Sequence, residues 1–138
     1  MTRSGATLPL PVLGDLSASG TFRYVNAGHP RPLLLQETGF RELADGGPIL
    51  GPFPESTFEE GRIDMVSGDV LAFYTDGVTE HRCPNGCEFG FARFREWLQY
   101  WRTGPAKAAI EDLFVRLQEF SEGLPLRDDA TVIFIRHE

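Results

Sequence analysis

The sequence predicts an α+β fold, and three features carry that prediction. Short strand-like segments separated by turns fill the first half, two amphipathic helical stripes follow one another, and a β-branched strand ends the chain. Strands grouped ahead of helices favour antiparallel sheet with segregated helices, since a parallel doubly wound sheet needs the two to alternate. With 138 residues the chain suits one domain with a real hydrophobic core.

Leu8 to Leu16 is apolar but holds two prolines, so it reads as an irregular or edge strand. Ser17-Ala18-Ser19-Gly20 is a turn, and Thr21–Ala27 follows as the second strand of a hairpin. Gly28-His29-Pro30 breaks that strand. Leu33–Leu35 is the next one, and the Glu37-Thr38-Gly39 turn pairs it with Phe40–Leu43. Glycines and prolines from Asp45 to Pro54 mark a loop. Thr57–Val66 alternates weakly and ends in the turn Ser67-Gly68-Asp69. Val70–Thr75 is almost continuously apolar, the pattern of a strand covered on both faces.

Phe91, Phe94, Trp97, Leu98 and Trp101 then fall on one helical face. A second helix starts near Pro105, carries Ile110, Leu113, Phe114, Leu117 and Phe120 as its stripe, and is capped by Gly123. Both aromatic stripes read as core rather than as a ligand platform. Ala130–Arg136 is the closing strand.

The net charge of −7 argues against nucleic acid and anionic membranes as partners. No apolar run approaches the ~18 residues of a membrane span. The first residues lack the basic-then-apolar pattern of a secretory leader, so a cytoplasmic location is expected. His81, Cys83 and Cys87 could be read as zinc ligands, but a structural site needs a fourth ligand. Two thiols in an exposed turn is the better reading.

The segment Phe73-Tyr74-Thr75-Asp76-Gly77-Val78-Thr79-Glu80 is the most informative. It reads as a buried strand that delivers the carboxylate of Asp76 to its end, turns at Gly77, and places Glu80 four residues on. Asp128-Asp129 precedes the last strand. Carboxylates at rigid strand ends suit a hard divalent cation, which Mg²⁺ or Mn²⁺ would satisfy with few protein oxygens and several waters. Taken singly, an Asp-Gly pair is a turn and an Asp-Asp pair is a solvated loop. They gain meaning only if the two strands are antiparallel neighbours, which would bring Asp76 and Asp128 to one sheet edge. Asp69 reads as a turn residue, and His29 as structural.

Six motifs in order carry a resemblance: Tyr24-Val25-Asn26-Ala27-Gly28-His29-Pro30, Gly47-Pro48-Ile49-Leu50-Gly51, Ser67-Gly68-Asp69, Tyr74–Glu80, Glu88-Phe89-Gly90, and Asp128-Asp129-Ala130-Thr131. From about Leu8 to Ile135 the chain resembles the bacterial stage II sporulation protein E branch of the PPM-type, metal-dependent serine/threonine phosphatases. The resemblance implies an antiparallel β-sandwich flanked by helices in four layers (αββα), with two Mn²⁺ or Mg²⁺ ions at one end. It implies that Asp76 and Asp128 are metal ligands, that Gly77 allows the turn beside the metal, and that Glu80 matches an acid some members use for a third ion. Asp129 ranks below Asp128 as a supporting group, and Asn26 and His29 belong to a structural motif near the site.

The implied reaction is hydrolysis of a protein phosphoserine or phosphothreonine, with a phosphorylated STAS-type anti-anti-sigma protein as substrate. The family's Asp-x-x-Gly-His-Gly motif, whose aspartate bridges the two metals, is not found in the 138 residues. The expectation is therefore a single, N-terminally truncated phosphatase domain spanning 1–138, weak in Mn²⁺ binding and in activity. The alternatives are a non-catalytic partner-binding module, or a reading frame whose missing half lies upstream. A sheet lacking its covering elements would expose apolar surface and favour a homodimer.

Overall fold

In the computed structural model the described residues are 12–27, 30–43, 46–47, 60–126 and 129–138. They form eight strands and three helices, divided between two compact units.

The first unit holds strands β1 (Val12–Leu16), β2 (Thr21–Ala27), β5 (Gly46–Gly47) and β6 (Gly61–Asp64). The Ser17–Gly20 turn closes the β1–β2 hairpin, with the Gly20 N–H donating to the Ser17 carbonyl at 3.0 Å. Gly20 has φ of +92°, a conformation that costs a residue without Cβ little. β1 is an edge strand, and Leu8–Pro11, which hold both prolines of the expected segment, lie outside the described residues. β2 is central, antiparallel to β1 and β6 but parallel to the two residues of β5, a short departure from a wholly antiparallel sheet. Phe22, Tyr24 and Asn26 alternate onto one face of β2 and are all buried. The Tyr24 ring lies so close over Gly61 that a Cβ there would fall 2.3 Å from it.

The second unit holds a sheet in the order β4-β3-β7-β8, formed by β3 (Leu33–Gln36), β4 (Gly39–Glu42), β7 (Val70–Tyr74) and β8 (Val132–Arg136). All three pairings are antiparallel. β7 is interior to the sheet, which explains its apolar run: Val70, Leu71, Ala72 and Tyr74 are all buried. Leu33, Leu35, Val70, Ala72 and Tyr74 join a core completed by α2 (Gly90–Trp101) and α3 (Ala106–Phe120). Phe94, Trp97 and Leu98 face inward from α2, and Ala109, Leu113 and Leu117 from α3.

Polar groups inside this layer are matched. The Trp97 indole donates to the Ala109 carbonyl at 2.9 Å, and the Trp101 indole to Asp112 Oδ2 at 2.8 Å. Arg136, ending β8, donates to the carbonyls of Trp101, Arg102 and Gly104, supplying cationic donors to the half-buried C-terminus of α2.

Three expectations need correcting. Gly77 does not form a simple turn: Asp76–Thr79 is a single helical turn, α1, held by Val78 N–H to the Thr75 carbonyl and Glu80 N–H to that of Asp76. Phe114 is not core but 36% exposed, and the small Ala109 takes an inward position instead. α3 does start near Pro105, which stands at the N-cap in extended conformation, where its missing N–H has no bond to lose. Gly123 is not the first residue past the α3 cap. Ser121 is the cap, Glu122 follows at φ of +54°, and Gly123 N–H then closes on the Gln118 carbonyl at 2.9 Å.

That last geometry places a Cβ-bearing residue where glycine is preferred. Glu122→Gly is expected to raise unfolding stability by about 0.5–1 kcal/mol, measured by urea denaturation.

Candidate metal centre

β7 ends at Tyr74 because the next two residues have other tasks. Thr75 extends the pairing to β8, its N–H donating to the Thr131 carbonyl at 3.0 Å. Its hydroxyl donates to the Asp129 carbonyl at 3.3 Å and accepts the Thr131 N–H at 2.9 Å. A threonine ahead of a helix ordinarily caps it, yet the Thr75 side chain makes no capping bond. It clasps the start of β8 instead. Sequence reasoning passed over Thr75, and its place at the N-cap position would have suggested the wrong partner.

Gly77 closes the same junction. A Cβ at this position would lie 2.1 Å from the Asp129 carbonyl oxygen, inside any tolerable contact. Its φ is not positive, so the demand here is for space alone.

The carboxylates are set by this junction. Asp76 is the first residue of α1, and Glu80 lies four residues on with its N–H on the Asp76 carbonyl, a helical spacing that sets both on one side. Both are exposed. No salt bridge or hydrogen bond engages either carboxylate among the described residues. β7 and β8 are antiparallel neighbours with Tyr74 opposite Val132, so the end of β7 adjoins the residues leading into β8. Asp129 is exposed there, and its carbonyl is the group fitted against Gly77.

Asp128 and His29 lie outside the described residues. Among the described residues no group of three His, Cys, Asp or Glu side chains is close enough to hold an ion. Asp76 and Glu80 are nonetheless the right donors for a hard cation, which accepts carboxylate oxygen and keeps waters for its remaining positions. Gly77 adds no donor: its missing Cβ admits the Asp129 carbonyl at the junction next to Asp76.

Other candidates resolve differently. Cys83 and Cys87 are joined by a disulfide, so they are not the two thiols expected, although their turn is exposed. The zinc reading fails with them, since the sulfurs are bonded to each other and His81 Nε2 is buried 3.0 Å from the Leu117 carbonyl. Asp69 is a turn residue as expected but a buried one. Its Oδ2 accepts the Val66 N–H at 2.9 Å and the Gln36 amide at 3.2 Å. Asn26 is buried in β2, in the first unit, whereas Asp76 belongs to the second.

Tyr74 Oη has its pKa pushed up to about 12, chiefly by burial and also by the carboxylates of Glu42 and Asp76. Its folded value thus exceeds the ordinary phenol value near 10. The stabilisation is complete below pH ~10 and is lost as pH rises toward 12. Tyr74→Phe is expected to flatten the fall in denaturation midpoint over that interval. Gly77→Ala is expected to cost roughly 1–3 kcal/mol in urea unfolding, because backbone rather than a flexible side chain must yield.

The chain matches the family described as Stage II sporulation protein E (SpoIIE) over residues 13–138. Protein IcfG of Synechocystis is 36% identical over 134 residues, covering 94% of this chain and 20% of IcfG. Phosphoserine phosphatase RsbU of Bacillus subtilis is 25% identical over 122 residues, covering 85% of this chain and 35% of RsbU. The SiaA-PP2C domain of Pseudomonas aeruginosa superposes with a TM-score of 0.76 at 20% identity, over 87% of this chain and 48% of that one. For the SpoIIE phosphatase domain from Bacillus subtilis (Mn presoaked) the TM-score is 0.67 at 14% identity, over 91% and 55%. These two likenesses show a shared α+β fold. The chain spans 20% and 35% of the curated relatives' lengths. A family match from residue 13 to the last residue makes the chain a member of the Stage II sporulation protein E (SpoIIE) family.

Proposed function

We propose that the chain is the C-terminal part of a single metal-dependent serine/threonine phosphatase domain, using Mn²⁺ or Mg²⁺ to hydrolyse phosphoserine or phosphothreonine on a regulatory protein. The observation that carries this reading is the β7–β8 junction. An antiparallel register brings the strand end bearing Asp76 beside the residues that lead into β8. RsbU, with which the chain shares 25% identity, is named a phosphoserine phosphatase, which supports the substrate class. A phosphorylated STAS-type anti-anti-sigma protein in a partner-switching pathway is the proposed substrate.

When bound, paired divalent ions supply an acidified water and neutralise charge on the phosphoryl oxygens, so no covalent protein nucleophile is required. Asp76 and Asp128 would hold them, with Glu80 available to a further, weaker ion and Asp129 supporting the junction. The chain's own contribution is positioning. Thr75 and Gly77 hold the two strand ends together, so that Asp76 extends from a fixed mount. The 138 residues do not contain the bridging aspartate motif of the family.

The 138-residue chain assayed alone is therefore expected to bind Mn²⁺ with a dissociation constant on the order of 10⁻⁴ M or weaker. Asp76→Asn should weaken that binding further, by about tenfold or more, in calorimetric titration. Hydrolysis of para-nitrophenyl phosphate with Mn²⁺ should be slight. Two tight sites, or robust hydrolysis abolished by Asp76→Asn, would overturn the expectation of an incomplete centre. Mn²⁺ binding that is indifferent to Asp76→Asn would instead remove Asp76 from the site and favour a partner-binding module.

A further inference from the structure

The segment between α1 and α2 carries chemistry that the phosphatase reading does not use. It is a small hairpin. The Phe89 N–H donates to the His81 carbonyl at 2.7 Å, Arg82 and Glu88 pair as an antiparallel bridge, and the Cys83 N–H donates to the Cys87 carbonyl at 2.8 Å. A disulfide joins Cys83 to Cys87 across the tip, with Cα atoms 5.3 Å apart. Both feet are anchored on α3: His81 Nε2 on the Leu117 carbonyl, and the Phe89 ring edge-on to Phe120 with centroids 5.5 Å apart. His81 and Phe89 are buried, whereas Cys87 is exposed and Cys83 half-buried.

This disulfide is placed where the fold least needs one. It spans a sequence separation of 4, and a cross-link over so short a loop removes little freedom from the unfolded chain. The buried feet hold the base of the hairpin independently of the disulfide. Gly86, at φ of +86°, makes the turn, and its N–H donates to the Cys83 carbonyl at 2.9 Å. The anchored base keeps the two thiols within reach of each other after reduction, so closing the bond is an intramolecular step.

We infer that Cys83 and Cys87 are a reversible dithiol–disulfide couple that exchanges with low-molecular-weight thiols and disulfides, and that its oxidation state sets how tightly the hairpin tip between α1 and α2 is closed. Cys87 is the more exposed of the two residues, so its thiolate attacks a small disulfide RSSR, forming a mixed disulfide and releasing one RS⁻. The Cys83 thiolate then attacks Cys87 Sγ, closes the internal bond and releases the second RS⁻. Two electrons pass from the protein sulfurs to RSSR, and the two protons of the protein thiols end on two RSH. The Cys87 N–H lies 3.1 Å from Cys83 Sγ, a donor that favours the attacking thiolate. Reduction by two RSH reverses both steps.

The test equilibrates the 138-residue chain in glutathione buffers of increasing oxidised fraction, followed by acid quench, alkylation and intact mass. The expected result is one transition from two alkylated thiols to none, with little glutathione adduct. In Cys83→Ser the adduct on Cys87 should instead accumulate, since no second thiol displaces it. Amide hydrogen exchange should be about tenfold or more faster at Gly86 and Cys87 in the reduced chain, with the α2 amides unchanged. Three outcomes would overturn the proposal: a chain that stays oxidised or reduced across the whole series, a wild-type chain that stops at the mixed disulfide, or identical exchange in both states.

Discussion

The antiparallel pairing of β7 with β8 is the constraint on which the second unit depends. Everything between those strands, three helices and a disulfide-closed hairpin, has to leave β7 and return to β8 at one fixed register. The pairing does not stop where the strands do. Thr75 carries it one residue further with backbone and hydroxyl bonds to Thr131 and Asp129, and Gly77 allows the Asp129 carbonyl to approach. Two strand ends that would otherwise fray are thus held together at the point where Asp76 emerges.

The helices make that register worth keeping. Alternate residues of β3 and β7 present Leu33, Leu35, Val70, Ala72 and Tyr74 to the cluster that includes Trp97, Phe94, Leu98, Leu113 and Leu117. A slip by one residue in β7 would turn this set to the opposite face, losing burial over the whole layer. Trp97 and Trp101 take part only because their indole N–H groups find acceptors on α3, and Arg136 ties the far end of β8 to the last carbonyls of α2. Packing therefore enforces the strand register, and the register positions Asp76.

Much of this was legible in the residues. The apolar run Val70–Tyr74 announced a covered strand, the stripes on α2 and α3 announced their buried faces, and the turn at Ser17–Gly20 announced a hairpin. These are signals of local period and turn chemistry, which act over a few residues. The errors arose where local signals had two readings. Asp-Gly after a strand serves a turn or a helical first turn equally well. Phe114 sits at a stripe position but at its margin, and only the packing of α3 decides that Ala109 goes in and Phe114 stays out. Cys83 and Cys87 have a spacing compatible with free thiols, zinc or a disulfide, and the hairpin backbone settles among them.

The site divides in the same way. Family motifs along the chain identified Asp76, Gly77 and Glu80 as residues of interest, because a motif is a property of sequence order. By itself the sequence also determined the fold class, since helical and strand periods and their grouping need no knowledge of contacts. It could not reveal the role of Thr75, whose partners Asp129 and Thr131 are more than fifty residues away. Nor could it show why position 77 must lack a Cβ, as the obstructing atom belongs to the approach to another strand. Those were decided by tertiary structure, because both depend on strand register, which the packing of the whole helix layer fixes.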